Sequence, residues 1–427
     1  MRTILRGRVV APTGVIEDGL VVVDDALITW VGAADAVPAD LLPGSSDLLP
    51  GSSDDPPESP EDTRPDPRPP AQVRTLLPGL VDLHCHGGGG AGFPDALDAA
   101  TARPAIAEHL RHGTTSLVAS LVTADEATLL ERTALLAGLA DVGELAGIHL
   151  EGPYLSPARC GAQDPALMTE GRPGVVREIA RVARGHLVTM TVAPEVSRVL
   201  GPDGVVAALA ETGALPSFGH TDAGADLLAD AIAEAGAALA GPGARSRRPT
   251  ITHLFNGMRP LHHRDPGPVA ASLSAAARGE AVVELVADGV HLAPATIRMV
   301  FDLLGPEAIA LVTDAMAAAG MPDGFYPLGS VAVHVNGGVA RLKAGGALAG
   351  GTAHLRDLVR TAVASGVSLA DAVTAASATP ATVLGRTDIG ALETGRRADL
   401  VEVDDDLRPL RVMRAGSRWC RGSAASR

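Results

Sequence analysis

Histidines and carboxylates recur at the ends of short apolar runs through the middle of this chain. The six residues are His84, His86, Glu151, His220, His253 and Asp314. Imidazole and carboxylate groups are common ligands of zinc and related divalent ions. An ion held by only two or three protein groups keeps room for water and lowers the pKa of that water towards 7. This set of residue types therefore predicts metal-dependent hydrolysis.

The spacing of the first two histidines favours a shared site. His84 and His86 are two positions apart in the sequence DLHCH, so on a strand both face the same side and Cys85 faces the other. A simpler interpretation is that polar residues mark the point where a strand meets a loop. Asp314 is the carboxylate suited to accept a proton from water and return it to a leaving amine. It could instead cap a helix ahead of Ala315.

Eight short apolar runs alternate with segments typical of helices, and each polar residue above lies at or near the end of one run. The runs cover residues 78–84, 115–120, 145–151, 187–192, 214–220, 250–254, 282–288 and 308–314. Strand–helix alternation repeated eight times predicts an α/β fold of the (β/α)₈ TIM-barrel type. The carboxyl ends of its strands meet at one mouth, which explains how residues so far apart could form one site.

The ends of the chain have a different texture. Residues 6–32 and 389–420 contain short β-like runs separated by Gly, Pro and Asp-Gly, so segments 1–37 and 386–427 are predicted to build one small β-sandwich. Residues 38–74 hold a tandem LLPGSSD repeat and a Pro/Asp-rich run, which predicts a flexible insertion. The barrel is expected over 75–385. It ends with a hairpin at 333–342 and helices near 354–366 and 370–378.

Composition excludes several classes of partner. The 427 residues are 46% hydrophobic and carry a net charge of −15, which predicts neither nucleic-acid binding nor association with anionic membranes. The three cysteines are odd in number and far apart, so no disulfide framework is expected. The first residues lack the apolar stretch of a signal peptide. We expect a cytoplasmic protein.

Six sequence motifs resemble those of the N-acetylglucosamine-6-phosphate deacetylases, within the amidohydrolase superfamily. They are PGLVDLHCHGGGG (78–90), HLEGPYLSP (149–157), GHTDA (219–223), THLFNGMRP (252–260), ADGVHL (287–292) and LVTDAMAAAG (311–320). A later run, GALETGRRADLV (390–401), resembles the family's C-terminal β segment. The resemblance implies hydrolysis of N-acetylglucosamine 6-phosphate to glucosamine 6-phosphate and acetate. It also implies a homodimer.

The resemblance assigns roles to the polar residues. Glu151, His220 and His253 correspond to the principal metal site, and His84 with His86 to a second site that some members lack. Asp314 corresponds to the catalytic acid and base. The expected cofactor is a divalent metal, zinc, with one or two ions per subunit.

Further positions correspond to contacts with the phosphorylated amino sugar. They are Ala162, Gln163, Asn256, Gly257, Arg264, His291, Ala347, Leu348 and Ala349. Arg264 stands where the family binds phosphate, with a reach across a dimer interface implied, although a surface arginine is the simpler interpretation. Many relatives carry a histidine where this chain has Gln163. His149 is predicted either to support a ligand or to be a core histidine.

Other functions remain open on sequence alone. The chain could act on another N-acyl amino sugar or on a cyclic amide. Many cyclic amidohydrolases bridge two metals with a carboxylated lysine, but the only lysine here, Lys343, follows the last predicted barrel strand. A catalytically silent barrel that binds amino sugars is a third alternative, although all six polar residues are present.

Overall fold

The structure is a computed structural model that describes residues 2–41, 74–241, 243–344 and 346–419. Residues 42–73 of the predicted insertion and Cys420 lie outside the described residues, so the flexibility of the insertion and the limits of the domains stay predictions. Among the described helices, none has the length and apolar character needed to cross a membrane.

Twenty strands and ten α-helices are found in the described residues. The strands are β1 (Arg2–Ala11), β2 (Gly14–Asp24), β3 (Leu27–Ala33), β4 (Thr75–Pro78), β5 (Leu80–Cys85), β6 (Gly87–Gly88), β7 (Ala91–Gly92), β8 (Thr114–Leu121), β9 (Gly147–Glu151), β10 (Leu187–Val192), β11 (Leu215–Phe218), β12 (Thr250–Ile251), β13 (Val282–Leu285), β14 (Ile309–Leu311), β15 (Gly324–Leu328), β16 (Val331–Asn336), β17 (Val339–Leu342), β18 (Leu400–Val403), β19 (Pro409–Arg414) and β20 (Ser417–Trp419). The helices are α1 (Ala99–Arg111), α2 (Glu126–Asp141), α3 (Pro173–Ala183), α4 (Val205–Glu211), α5 (Ala225–Ala238), α6 (Gly267–Ala277), α7 (Pro294–Leu304), α8 (Leu355–Ala364), α9 (Leu369–Ala376) and α10 (Ala378–Val383).

Eight strands form the predicted barrel in chain order. They are β5, β8, β9, β10, β11, β12, β13 and β14, and each is parallel to the next. The barrel closes at the end of its first strand and just past the end of its last strand. Cys85 and Ala315 form a parallel bridge there, and the backbone N–H of Asp314 donates to the carbonyl oxygen of His84 at 2.9 Å. The (β/α)₈ prediction is confirmed.

Both termini contribute to a separate sheet, as expected for the small β domain. Its order is β20-β19-β18-β4-β1-β2-β3, so strands from the beginning and the end of the chain are neighbours in one sheet. Strand β4, directly ahead of the barrel, pairs in parallel with β1 and antiparallel with β18. This pairing anchors the entry to the barrel in the terminal sheet.

The helices begin where the sequence supplies caps. The side chain of Asp125 accepts the backbone N–H of Thr128 at the start of α2, and that of Ser368 accepts the N–H of Asp371 at the start of α9. Such caps satisfy N–H groups that have no partner inside the helix. The helices pack aliphatic side chains such as Leu136 and Ile179 against the outer face of the strands. A core poor in aromatic residues is thus built from Ala, Val and Leu.

The interior of the barrel beneath the strand ends is polar. Thr191 on β10 contacts Thr252, which follows β12, through oxygens 2.8 Å apart. Because β11 lies between β10 and β12, this contact joins alternate strands inside the barrel. Ser217 joins the same group at 2.6 Å from the Thr252 oxygen. A layer of hydrogen-bonded hydroxyl groups therefore supports the residues at the mouth.

Several predicted strand limits were only partly right, and the sixth strand and the hairpin differ most in kind. The sixth barrel strand covers residues 250–251 rather than 250–254, because the backbone turns at His253 (φ 26°) and Phe255 (φ 78°). The hairpin around Asn336 is confirmed, but β15 adds a third strand that we did not predict. Alternation of buried and exposed residues in β16 matches a sheet with one buried face.

Candidate active site

The six polar residues singled out from the sequence meet at the carboxyl ends of the barrel strands. Three of them, His220, His253 and Asp314, adopt positive φ angles of 47°, 26° and 47°. Non-glycine residues seldom adopt this conformation, and it tends to occur at functional sites where the surrounding structure imposes it. The strained backbone turns these side chains inward at the points where their strands end.

The first cluster consists of Glu151, His220 and His253. Oε1 of Glu151 lies 2.8 Å from Nε2 of His220 and 2.8 Å from Nε2 of His253. The two histidine nitrogens are 3.1 Å apart. All three side chains are buried.

The second cluster uses the other oxygen of the same carboxylate. Oε2 of Glu151 lies 3.1 Å from Nε2 of His86, which is itself 3.1 Å from Nε2 of His84. Oδ1 of Asp314 is 3.4 Å from the His84 nitrogen and 3.3 Å from the His86 nitrogen. Glu151 thus lies between the two clusters and belongs to both.

The outer nitrogens of three histidines face hydrogen-bond acceptors. Nδ1 of His84 lies 3.2 Å from Oε2 of Glu284, and Nδ1 of His220 lies 2.8 Å from the carbonyl oxygen of Arg159. Nδ1 of His86 is 3.3 Å from the carbonyl oxygen of Ser120. A neutral imidazole that donates through Nδ1 carries its lone pair on Nε2, the atom that points into the cluster.

This donor arrangement fits a divalent cation. Lone pairs of imidazole nitrogens and carboxylate oxygens converge at about 3 Å, where they repel one another unless positive charge lies among them. The pKa values of the clustered residues also show that each buried group depends on opposite charge close by. Burial by itself raises the pKa of Glu151, yet the charges of His220 and His84 hold it well below its usual value. Burial by itself lowers the pKa of His84, yet Asp314 and Glu151 raise it well above its usual value.

Gln163 lies against the two clusters. Its Nε2 donates to Oε2 of Glu151 at 2.5 Å, and its Oε1 accepts the backbone N–H of Thr123 at 2.8 Å. Both polar atoms of the amide are therefore engaged by the protein. The neighbouring Ala162 is half-buried and packs against a group of buried hydrophobic side chains beneath the sheet of β15, β16 and β17.

The other predicted substrate residues lie on loops after the strands. Gly257 has φ of 60°, and a Cβ atom there would be 2.9 Å from Nδ1 of His220, so only glycine fits. The Asn256 amide donates to the carbonyl oxygen of His253 at 3.2 Å. Arg264 is exposed. The turn that lines the predicted sugar pocket is exposed at Ala347, half-buried at Leu348 and buried at Ala349.

His291 is held by an acidic neighbour. Its Nδ1 lies 2.8 Å from Oδ2 of Asp288, and both side chains are almost fully buried. Burial by itself lowers the pKa of His291, but the hydrogen bond and the charge of Asp288 raise it above the usual value. The imidazole therefore keeps its positive charge to a higher pH than a free histidine.

Sequence reasoning missed Glu284 and left His149 open. Glu284 is buried on β13, where its carboxylate faces Nδ1 of His84 and the backbone N–H of His253. A charged residue inside the apolar run VVEL was the available signal. His149 contacts the hydroxyl groups of Ser120 and Thr191 at 2.9 Å each, and burial lowers its pKa well below the usual value. It is a neutral, hydrogen-bonded core histidine.

The two cysteines that the structure describes take no part in either cluster. Cys85 is buried, and its Sγ faces away from His84 towards Nε2 of His109 at 3.2 Å. Cys160 is a half-exposed free thiol in the loop that precedes Gln163. Cys85 and Cys160 are both free thiols in the described part of the chain.

Comparisons with known proteins point to the superfamily that the sequence motifs resemble. Residues 75–418 match the model of the amidohydrolase family. An N-acetylglucosamine-6-phosphate deacetylase from Bacillus subtilis (strain 168) is 34% identical over 374 residues, which cover 82% of this chain and 84% of the relative. An N-acetylgalactosamine-6-phosphate deacetylase from Escherichia coli O157:H7 is 35% identical over 358 residues, 82% of this chain and 88% of the relative.

Solved structures show the same architecture. The N-acetyl-D-glucosamine-6-phosphate deacetylase from Mycobacterium smegmatis superposes with a TM-score of 0.81 at 36% identity, covering 97% of this chain and 99% of the other. The corresponding enzyme from Thermotoga maritima gives 0.77 at 26% identity, with 97% and 99% covered. The fold, the site and the extent of these matches show that this chain belongs to the amidohydrolase family.

Proposed function

We propose that this protein hydrolyses the acetamide of N-acetyl-D-glucosamine 6-phosphate to glucosamine 6-phosphate and acetate. One observation carries the proposal: the complete set of histidines and carboxylates meets around Glu151, in a chain whose relatives are deacetylases of phosphorylated amino sugars. Two clusters that share this carboxylate support two divalent ions per subunit, and their imidazole and carboxylate donors support zinc. We further propose a cytoplasmic homodimer.

The reaction needs a nucleophile, a proton carrier and a stabilised oxyanion. A divalent ion in these clusters supplies Lewis acidity and lowers the pKa of water at the site. Asp314 is the proton carrier: its carboxylate removes a proton from the attacking water and delivers it to the amine as the C–N bond breaks. Because the pKa of Asp314 is held below its usual value by His84 and His86 against the effect of burial, it begins the cycle as a base.

The residues around the clusters hold this machinery in place. Glu284 and the carbonyl oxygen of Arg159 orient histidine rings, and supporting contacts of this kind affect metal affinity and activity. Gln163 fixes the orientation of the Glu151 carboxylate. His291 and Arg264 are proposed to bind the 6-phosphate as cations, with Arg264 acting across the dimer interface.

The proposed function is tested by acetate release from four sugars, on protein whose metal content has been counted. The substrates are N-acetylglucosamine 6-phosphate, N-acetylgalactosamine 6-phosphate and the two unphosphorylated sugars. N-acetylgalactosamine 6-phosphate is included because one relative is named as a deacetylase of that sugar. Preference for the glucosamine phosphate supports the proposal. Preference for its C4 epimer would transfer the assignment to that sugar, and no release from any of them would refute both.

Removal of Arg264 is predicted to weaken recognition of the phosphate. We expect Arg264→Ala to lower kcat/KM for the phosphorylated sugar by about 10–100-fold, since a charge-assisted hydrogen bond contributes about 1.5–3 kcal/mol. Hydrolysis of the unphosphorylated sugar should change little. Arg278→Ala is a matched control, because Arg278 is an exposed arginine paired with Glu280 at the end of α6. Equal losses on both substrates would contradict a role in phosphate binding.

The charge of His291 predicts a pH effect on substrate binding. Because Asp288 raises the pKa of His291, the imidazolium persists above the usual range and is lost only as the pH rises through the raised value. We expect KM for the phosphorylated sugar to increase over that interval. His291→Gln should remove the increase, and Asp288→Asn should move it to lower pH. A KM profile that is the same in the wild type and Asp288→Asn would contradict the prediction.

A further inference from the structure

A second group of metal-ligating side chains lies outside the candidate active site. Glu108 and His112 are one helical turn apart at the end of α1, and His354 is the N-cap residue of α8. One potential ligand atom from each lies within 4.8 Å of the other two. Neither the proposed reaction nor the substrate contacts use these residues.

The distances between these atoms suit a tetrahedral metal site. Oε1 of Glu108 is 2.9 Å from Nε2 of His354 and 3.5 Å from Nδ1 of His112. Ligand atoms about 2.0–2.1 Å from a zinc ion in a tetrahedron are about 3.3 Å from one another. The observed separations lie on either side of this value. An ion could therefore be accommodated by small rotations of side chains.

His112 has a nitrogen available for a ligand. Its Nδ1 is buried and makes no hydrogen bond, which costs free energy unless the atom finds another partner. Its side chain is 23% exposed, which leaves a path for an ion and room for a water ligand.

The surroundings are shaped to hold the carboxylate in this position. Gly320 has φ of 76°, and a Cβ atom there would lie 2.1 Å from Oε1 of Glu108, so a larger residue would displace that oxygen. Nη1 of Arg111 binds the other oxygen of Glu108 at 2.5 Å, which directs Oε1 towards the histidines. Oδ2 of Asp357 lies 3.5 Å from Nδ1 of His354, an outer contact of the kind that orients metal-bound imidazoles.

We propose that Glu108, His112 and His354 bind an additional divalent ion of the zinc class, which ties α1 to α8. These helices follow the first and last barrel strands, whose closure depends on the Cys85–Ala315 bridge and a few backbone hydrogen bonds. Three protein ligands and a water complete a tetrahedron. The ion stabilises the closed barrel and takes no part in hydrolysis.

The test is metal counting on the full chain after loading with zinc and removal of unbound metal. His112→Asn and Glu108→Gln are each expected to bind about one ion fewer per chain than the wild type. His186→Asn is the matched control, since His186 is a partly exposed histidine paired with Asp141 elsewhere on the surface. The Glu108 variant keeps the shape of the side chain, so it remains informative if the histidine variant does not fold.

Two further readouts separate this ion from those of the active site. Excess zinc should raise the Tm of the wild type by a larger amount than that of either variant, because a ligand that binds only the folded state stabilises it. The kcat for acetate release, measured with saturating zinc, should stay near the wild-type value. Equal metal counts in the wild type and both variants would overturn the proposal, as would equal shifts of Tm with zinc.

Discussion

Asp314→Asn is expected to lower kcat for acetate release by about 10²–10⁴-fold, the usual contribution of a positioned general acid and base. The amide keeps the size of the side chain but cannot accept the proton from water. Its oxygen still faces His84 and His86, and the cluster of Glu151, His220 and His253 does not include it. Metal bound to the purified variant should therefore remain close to the wild-type amount.

This combination separates proton transfer from metal binding. The measurement pairs metal counting with acetate release across pH, on the same preparation. Asp323→Asn is the control, because the Asp323 carboxylate accepts two backbone N–H groups in the hairpin of the three-stranded sheet and lies outside both clusters. An Asp314→Asn variant that turned over near the wild-type rate with its metal intact would exclude Asp314 as the acid and base.

The sequence was most informative where periodicity and chemistry agree. The barrel strands are apolar runs buried on both faces, as in β10, where the predicted and observed limits are both 187–192. Strand six was overestimated because hydropathy does not report φ, and the left-handed turn at His253 ends β12 early. That turn also directs His253 into the cluster. The same backbone conformation therefore explains both the error in the predicted strand limit and the position of this site residue.

Contacts between distant residues were less accessible from the sequence. The six polar residues were singled out because each lies at or near the end of an apolar run. Glu284 lies inside a run, and its role depends on facing His84, which is 200 positions away in the sequence. Gln163 was interpreted as a substrate contact on the resemblance alone. Its amide contacts Glu151 and Thr123, an arrangement set by how the loop folds back over the strand ends, and its contact with substrate stays a prediction.

The cluster of Glu108, His112 and His354 shows the same limit. Two of its members are one turn apart on a helix, a spacing visible in the sequence, but such pairs are common on solvated helix faces. The third residue, His354, comes from the other end of the barrel domain in the sequence. Gly320 leaves space for the carboxylate of Glu108. Only barrel closure brings these three segments together.

Glu151→Gln should have the largest effect of any single ligand substitution, because its two oxygens serve both clusters. A neutral amide supplies one oxygen and no charge, so it cannot balance two divalent ions among four imidazoles. We expect the variant to lose most of the metal of the active site and at least about 10³-fold in kcat/KM, since a metal contributes several kcal/mol to transition-state stabilisation.

A matched control is available for this substitution. Glu402 on β18 is also buried, but it pairs with Arg74 and Arg411 in the terminal sheet. Glu402→Gln should reduce stability without changing the metal count or the rate of the folded protein. If Glu151→Gln kept a full complement of metal, the shared carboxylate would not be the ligand that joins the clusters. The histidine pairs would then have to hold the ions independently, with His84 and His86 relying on Asp314 as their remaining carboxylate.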